Sequence, residues 1–316
     1  MAGAAAVTVA APRIWSSESS PDDVAEPGGN VKLSLNTSTV RGHRLSVPEQ
    51  IRVTADAGYD AIEPWIRDLR ECVEGGTDAA AIGRMIGDAG LSVAGAIGFA
   101  RWISDDPKTR RQGLEEARRD MDLIRAVGGD SIAAPPIGAH TPESVSPPLD
   151  VIADRFAALC DVGADAGVMP LLEVWGFSPT LSKLADVAYV LAAAGHPNAG
   201  VLPDFYHLHR GGNDFESLRF IEASRMPNFH INDYPTDKPA SDLVDADRVF
   251  PGDGGCPLVE VIRGLLEDGF TGTFSLELFN PDYWSRPAAE VAIEGRRKCR
   301  QIIAAAQRSR VGGSKS

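Results

Sequence analysis

Paired cysteines are missing from this chain. Its four cysteines, Cys72, Cys160, Cys256 and Cys299, stand far apart with no CxxC spacing. That excludes a zinc ribbon or a disulfide framework and leaves free thiols, mostly packed. Basic surface is scarce as well: 31 Lys and Arg face 44 Asp and Glu, for a formal net charge of -13. Phosphate surfaces want a basic face, so nucleic acid and anionic membrane are excluded as partners. No apolar run reaches the ~18 residues that a membrane-spanning helix needs. Aromatic residues make up only 7% of the chain and histidine only six positions, so wherever either gathers is worth following.

A regular beat is present instead. From Val31 onward, short apolar runs (VKLSLNTS, AIEPW, LSVAGAIGF, SIAAPPIG, MPLLEVW, AGVLPDF, MPNFHIND, GTFSLELF) alternate with longer amphipathic stretches. These include VPEQIRVTADAG, with Pro48 at its start and Gly58 at its end, and DFESLRFIEA before the seventh run. Runs apolar on both faces suit parallel strands covered by helices, and stretches closed by Gly suit the covering helices. Eight strand-helix units predict a single-domain α/β fold, a (β/α)8 TIM barrel over residues 31–306, with its active site at the carboxyl ends of the strands. Residues 1–30 begin as a small-residue apolar run and turn polar and rich in Ser, Pro, Gly and acid. They read as a flexible leader or a signal remnant. The cytoplasm is the expected location, with twin-arginine export the alternative. Residues 307–316 read as a disordered tail.

Four of the later runs end in a residue that can ligate a metal: LLEVW at Glu173, VLPDF at Asp204, FHIND at His230 and SLELF at Glu277. On consecutive parallel strands these residues share one mouth. Three carboxylates buried together need protonation or a cation, and three carboxylates with one imidazole suit a divalent ion such as Mn²⁺, Mg²⁺, Co²⁺ or Zn²⁺.

The segments LLEVWG, VLPDFYHLHRGGNDFESL, FHINDYPTDKPASDLVDADRVFPGDG and SLELFNPDYW carry a further signal. Through them, residues 31–306 resemble the xylose-isomerase-like sugar isomerase/epimerase family, and within it the 2-keto-myo-inositol isomerases most. The resemblance implies metal ligation by Glu173, Asp204, His230 and Glu277, with Mn²⁺ favoured. It implies proton transfer beside a carbonyl by Glu173 and Glu277 through a metal-stabilised enediolate. It implies a substrate contact for His207, three residues after Asp204, and gives Arg248, ahead of the PGDG turn, a place in the site. There Arg248 either binds a substrate oxygen or orients a metal-bound carboxylate, with a loop-fixing salt bridge to Asp245 or Asp247 as the plain alternative.

Around these, Glu63 and Trp65 end the second run and His140 follows the fourth, which makes each a candidate substrate contact. Trp175, with Trp102, Trp284, Phe99, Phe177 and Tyr283, offers ring faces on which the C–H face of a sugar or cyclitol packs. Asp233 is expected to support a ligand, and His209 to be structural or solvent-facing. The eighth run leads into NPDYWSRP without a glycine-rich phosphate loop, so a neutral keto-sugar or keto-inositol is the expected partner. The sugar 3-epimerases of the family place a second Glu where this chain has Pro179, which weakens that match. Isomerase or epimerase is the leading reading. A β-eliminating lyase on 3-keto-glycosides is the alternative, and a non-catalytic binding barrel the contrasting one. Phosphodiester cleavage of the endonuclease IV kind is disfavoured by the charge and the few histidines. Assembly into a homo-oligomer is left open.

Overall fold

The computed structural model describes residues 31–311, with side chains to residue 308. The leader, and the part of the tail from residue 312 on, lie outside the described residues. Eight strands follow in chain order: β1 (Lys32–Asn36), β2 (Ala61–Glu63), β3 (Ser92–Val93), β4 (Ser131–Ala134), β5 (Met169–Glu173), β6 (Gly200–Leu202), β7 (Asn228–Ile231) and β8 (Thr273–Leu276). All pairings between them are parallel, in two runs ordered β3-β2-β1-β8-β7 and β4-β5-β6. Backbone bonds just past the strand ends close the ring. Ala133 N donates to Ala96 O at 2.8 Å between β3 and β4, and His230 N donates to Pro203 O at 2.9 Å between β6 and β7. The result is the TIM barrel that the beat predicts.

Ten helices cover or cap the barrel: α1 (Val47–Asp56), α2 (Ile66–Glu74), α3 (Ala79–Asp88), α4 (Pro107–Ala126), α5 (Leu149–Ala166), α6 (Leu184–Ala194), α7 (Phe205–Arg210), α8 (Leu258–Glu267), α9 (Pro281–Trp284) and α10 (Ala288–Val311) among the described residues. Their starts are written locally. Ser46 N donates to Glu49 Oε2 at 2.8 Å ahead of α1, and the Asp106 carboxylate takes Thr109 N at 2.7 Å at the head of α4. Such caps satisfy amide donors that the helix itself cannot. Among the described residues no helix is long and apolar enough to cross a membrane.

Two elements differ from expectation. DFESLRFIEA forms only a 3₁₀ turn, Phe215–Phe220, while the helix of that unit, α7, starts directly after β6. The reason is Asp204, whose side chain accepts from His207 N at 2.8 Å and nucleates the turn there. Helix α10 runs on to Val311, past the boundary expected at 306.

The two faces of the strands also differ. Leu33, Leu35, Ile62, Phe229, Phe274 and Leu276 belong to one large apolar core with the helices. Each such side chain contributes ~1.5–3 kcal/mol by leaving water. Inside the ring the filling is split. Ile97, Ala133, Leu171 and Leu202 form a separate apolar cluster under Trp65. On the β1, β2, β7 and β8 side, the alternate positions hold buried polar residues: Ser34, Asn36, Glu63, Asn228, His230 and Ser275. Those strands are therefore not apolar on both faces. The polar inner wall leads up to the mouth.

Candidate active site

Asp204 leaves β6 as the N-cap of α7, and this fixes its carboxylate by both oxygens. Oδ1 takes His207 N, while Oδ2 accepts from Asn232 Nδ2 at 3.1 Å and from Arg248 Nη1 at 2.6 Å. On β7, His230 presents Nδ1 to Glu277 Oε2 at 3.2 Å and to Asp204 Oδ2 at 3.5 Å. Glu277, one residue past β8, accepts from Asn36 Nδ2 at 3.1 Å and from Arg248 Nη1 at 2.9 Å. One atom from each of Asp204, His230 and Glu277 lies within 4.8 Å of the others, and all three residues are buried.

Arg248 links the acids. It is 1% exposed, and besides Asp204 and Glu277 it donates from Nη2 to Asp245 Oδ1 and His207 Nε2, both at 3.1 Å. Its guanidinium lies over the Tyr206 ring, 4.5 Å from the centroid, and 5.2 Å from that of Phe279. Because Arg248 can only donate, His207 Nε2 is the acceptor and the ring proton sits on Nδ1. That Nδ1 has no partner in the protein. Burial pushes the His207 imidazole down to about 4, so it is neutral. For Asp204, burial alone would raise the carboxyl, but the Arg248 guanidinium overturns this and holds it well below the usual range.

Glu173, at the end of β5, has the opposite environment. It lies 5% exposed, and burial pushes its carboxyl up to about 8. Attraction to His230 opposes this, repulsion from Glu277 and Asp204 adds to it, and a hydrogen bond from Trp175 moderates it. Its ligand atoms are not part of the tight three-residue group. The structure thus gathers Asp204, His230 and Glu277 closely and sets Glu173 beside them as an electrostatic neighbour.

The donor set fits a divalent cation. Buried His230 Nδ1 makes no hydrogen bond, yet two carboxylates flank it. Burial would lower the imidazole's basicity, but Glu277 and Glu63 raise it well above the ordinary value. When a metal displaces its proton, this buried nitrogen turns a lone pair toward the carboxylate oxygens of Asp204 and Glu277, the arrangement that a first-row metal requires.

Other expected contacts separate into two groups. Trp65 and Trp175 belong to an aromatic rim. Trp65 lies 5.2 Å from Phe99 and 6.0 Å from Phe279, and Trp175 lies 6.4 Å from Phe99, 5.0 Å from Phe177 and 5.6 Å from His140. Phe99 and Phe177 stay 39% and 42% exposed, open to a ligand. Gly176 lets this loop approach α7, since a Cβ there would meet His207 O at 2.3 Å. Glu63, in contrast, is 1% exposed inside the barrel, with both oxygens taken by protein donors.

Of the remaining rings, Trp102 is buried with its indole N–H on Pro135 O, and Trp284 donates to Thr39 O. Tyr283 stacks on Phe250, and His209 on Tyr234. Asp233 clasps the PGDGG loop, accepting from the backbone N–H of Gly252, Gly254 and Cys256. Asn36, Asn228, Asn232 and Ser275 do not stand out in the sequence. A signal for two of them exists there: Asn228 and Ser275 stand two residues before His230 and Glu277, hence on the same strand face.

The match to known proteins agrees with this architecture. Residues 51–302 match the xylose isomerase-like TIM barrel family. The chain is 30% identical over 186 residues to an inosose isomerase of Bacillus velezensis, a match spanning 58% of this chain and 66% of that protein. It is 22% identical over 270 residues to a 3-dehydroshikimate dehydratase of Pseudomonas putida, across 84% of this chain and 41% of that one. In fold it is similar to the IolI protein, whose crystal structure holds a zinc atom, with a TM-score of 0.80 at 22% identity over 87% of this chain and 98% of that chain.

Proposed function

Because the chain belongs to the xylose isomerase-like TIM barrel family, and because its buried acids converge on one mouth, we propose a divalent-metal-dependent isomerase or epimerase. Its substrate is a neutral keto-inositol or ketose, and its chemistry is proton transfer beside the carbonyl. The observation that carries this reading is geometric: ligand atoms of the buried Asp204, His230 and Glu277 lie within 4.8 Å of one another, with the buried carboxyl of Glu173 beside them. Two carboxylates at one buried mouth supply the groups that take and return a proton.

Asp204, His230 and Glu277, with Glu173 completing the set, would hold the ion. Mn²⁺ is the proposed metal, given the excess of carboxylate over imidazole. When bound, a divalent ion polarises a carbonyl and stabilises the charge that develops on its oxygen. The remaining roles belong to the chain. Glu173 removes the proton from the carbon next to the carbonyl. Glu277, held by Asn36 and Arg248, serves as the second proton-transfer group. His207 offers its Nδ1–H, which lacks a protein partner, to a substrate oxygen. Arg248 keeps Asp204 ionised and holds both Asp204 and Glu277 in place. The aromatic rim excludes water and takes the C–H face of the ring. The 30% identical inosose isomerase supports a keto-inositol as the substrate.

A second reading keeps every residue role and differs only in the step after proton removal: expulsion of a leaving group by β-elimination, as on a 3-keto-glycoside. The dehydratase relatives and the exposed rings Phe99 and Phe177 favour it. Metal content after purification comes first in testing these ideas, then deuterium uptake from solvent into keto-inositols, ketoses and 3-keto-glucosides. Uptake without loss of a group supports isomerisation or epimerisation, aglycone release supports elimination, and a protein that neither holds nor needs metal refutes both.

A further inference from the structure

Glu63 lies in the interior of the barrel, 1% exposed, with both oxygens held by protein donors. Its Oε2 accepts from Ser275 Oγ at 2.7 Å, Asn36 Nδ2 at 2.9 Å and His230 Nε2 at 3.1 Å, and its Oε1 accepts from Asn228 Nδ2 at 2.6 Å. These donors come from β1, β7 and β8, and β7 is not a neighbour of β2 in the sheet. The side chain therefore reaches across the ring.

We propose that Glu63 is the positioning residue for His230: by holding the Nε2 proton from inside the barrel, it turns the Nδ1 lone pair toward Asp204 and Glu277. The inference rests on the metal-dependent reading above. An ionised carboxylate only accepts, so the imidazole nitrogen facing it carries the hydrogen, and a neutral ring then has its lone pair on the other nitrogen. That other nitrogen is the buried, unpartnered atom between the two acids. A carboxylate behind a ligating histidine fixes the ring's tautomer and angle and raises its basicity as a ligand. Asn36 links Glu63 to the acids at the mouth, since it donates to both Glu63 and Glu277 and accepts the Trp65 indole N–H at 3.0 Å. Glu63 thus acts on the cation through His230, and not on substrate, which is the role its position at the end of β2 first suggests.

The test is Co²⁺ binding to the metal-free full chain, with the visible absorption of the bound ion and proton NMR of the His230 ring. Glu63→Gln keeps the shape and removes the charge. It is expected to weaken Co²⁺ binding roughly 10–100-fold, with an altered visible spectrum, an unchanged far-UV circular dichroism spectrum, and faster exchange of the Nε2 proton. Glu63→Asp, which keeps the charge but withdraws it by one methylene, is expected to fall between Glu63→Gln and wild type. It carries the test by itself if Glu63→Gln does not fold. Affinity within about twofold of wild type in a folded variant, with the Nε2 proton unaltered, overturns the proposal. Absence of any Co²⁺ binding by the wild type would instead sink the metal-dependent reading, and the Nε2 proton of the metal-free protein would still report on the Glu63–His230 bond.

Discussion

The arc of the mouth carried by β6, β7 and β8 and the arc carried by β2, β3 and β5 are built on opposite principles. In the first, Asp204, His230, Arg248 and Glu277 are almost fully enclosed, and the guanidinium nitrogens Nη1 and Nη2 each have two side-chain partners. In the second, Trp65, Phe99, Trp175 and Phe177 meet through tilted rings 5.0–6.4 Å apart, with two of the four substantially exposed. Buried charge is costly unless paired, so Asp204, Arg248 and Glu277 hold one another in fixed positions. Ring faces tolerate small displacements, so under the proposed function the aromatic arc would accept related substrates. Glu173 sits at the seam: it is a buried acid like the first arc, yet its hydrogen bond comes from Trp175 of the second.

If that division is right, the acids dominate the chemistry. Glu173→Gln or Glu277→Gln is expected to lower solvent deuterium exchange by on the order of 10²–10⁴-fold. Circular dichroism should stay unchanged, and near-normal exchange in either variant would remove the proposed roles. Next in size is Arg248→Met, which strands Asp204 and Glu277 beside each other. Urea unfolding of the metal-free protein should show a loss of about 3–5 kcal/mol, and added divalent ion should restore part of it.

A pH profile sharpens the position of Glu173. Its folded-state value of about 8 lies above the usual 4.5, so between the two the folded chain holds a proton that the unfolded chain has lost. The stabilising contribution is complete below about 4.5 and disappears as pH rises through about 8. The melting temperature of the metal-free protein should fall across that window, and Glu173→Gln should flatten the fall. The smallest effect belongs to the aromatic arc. Phe99→Ala is expected to raise KM a few-fold with kcat nearly unchanged, in line with ~0.5–1.5 kcal/mol for a ring contact. A large drop in kcat would show that the rims are not separable.

Much of the site is legible in the sequence. Strand ends are local features, and Glu173, Asp204, His230 and Glu277 each close a short apolar run, so parallel strands in sequence order must deliver them to one mouth. Glu63 is legible as a strand-end residue but not in its direction. Period-2 alternation says which residues share a face, whereas which face turns inward depends on how the ring closes. The 3₁₀ turn at Phe215–Phe220 departs from expectation for a related reason. Its composition is helical, but the chain has already turned into α7, capped by Asp204.

The sequence by itself determined the eight-part beat, the acids and histidine at the strand ends and the family, because periodicity, capping and ligand type are written in neighbouring residues. Only the tertiary structure decided that Arg248 bridges Asp204 and Glu277, and that Glu63 grips His230 across 167 positions of chain. Those contacts follow from strand register and ring closure, where β1 pairs with β8 and the Asp204–His230 bridge joins β6 to β7. Pairings over such distances are set by the packing of the whole barrel, and no local pattern encodes them.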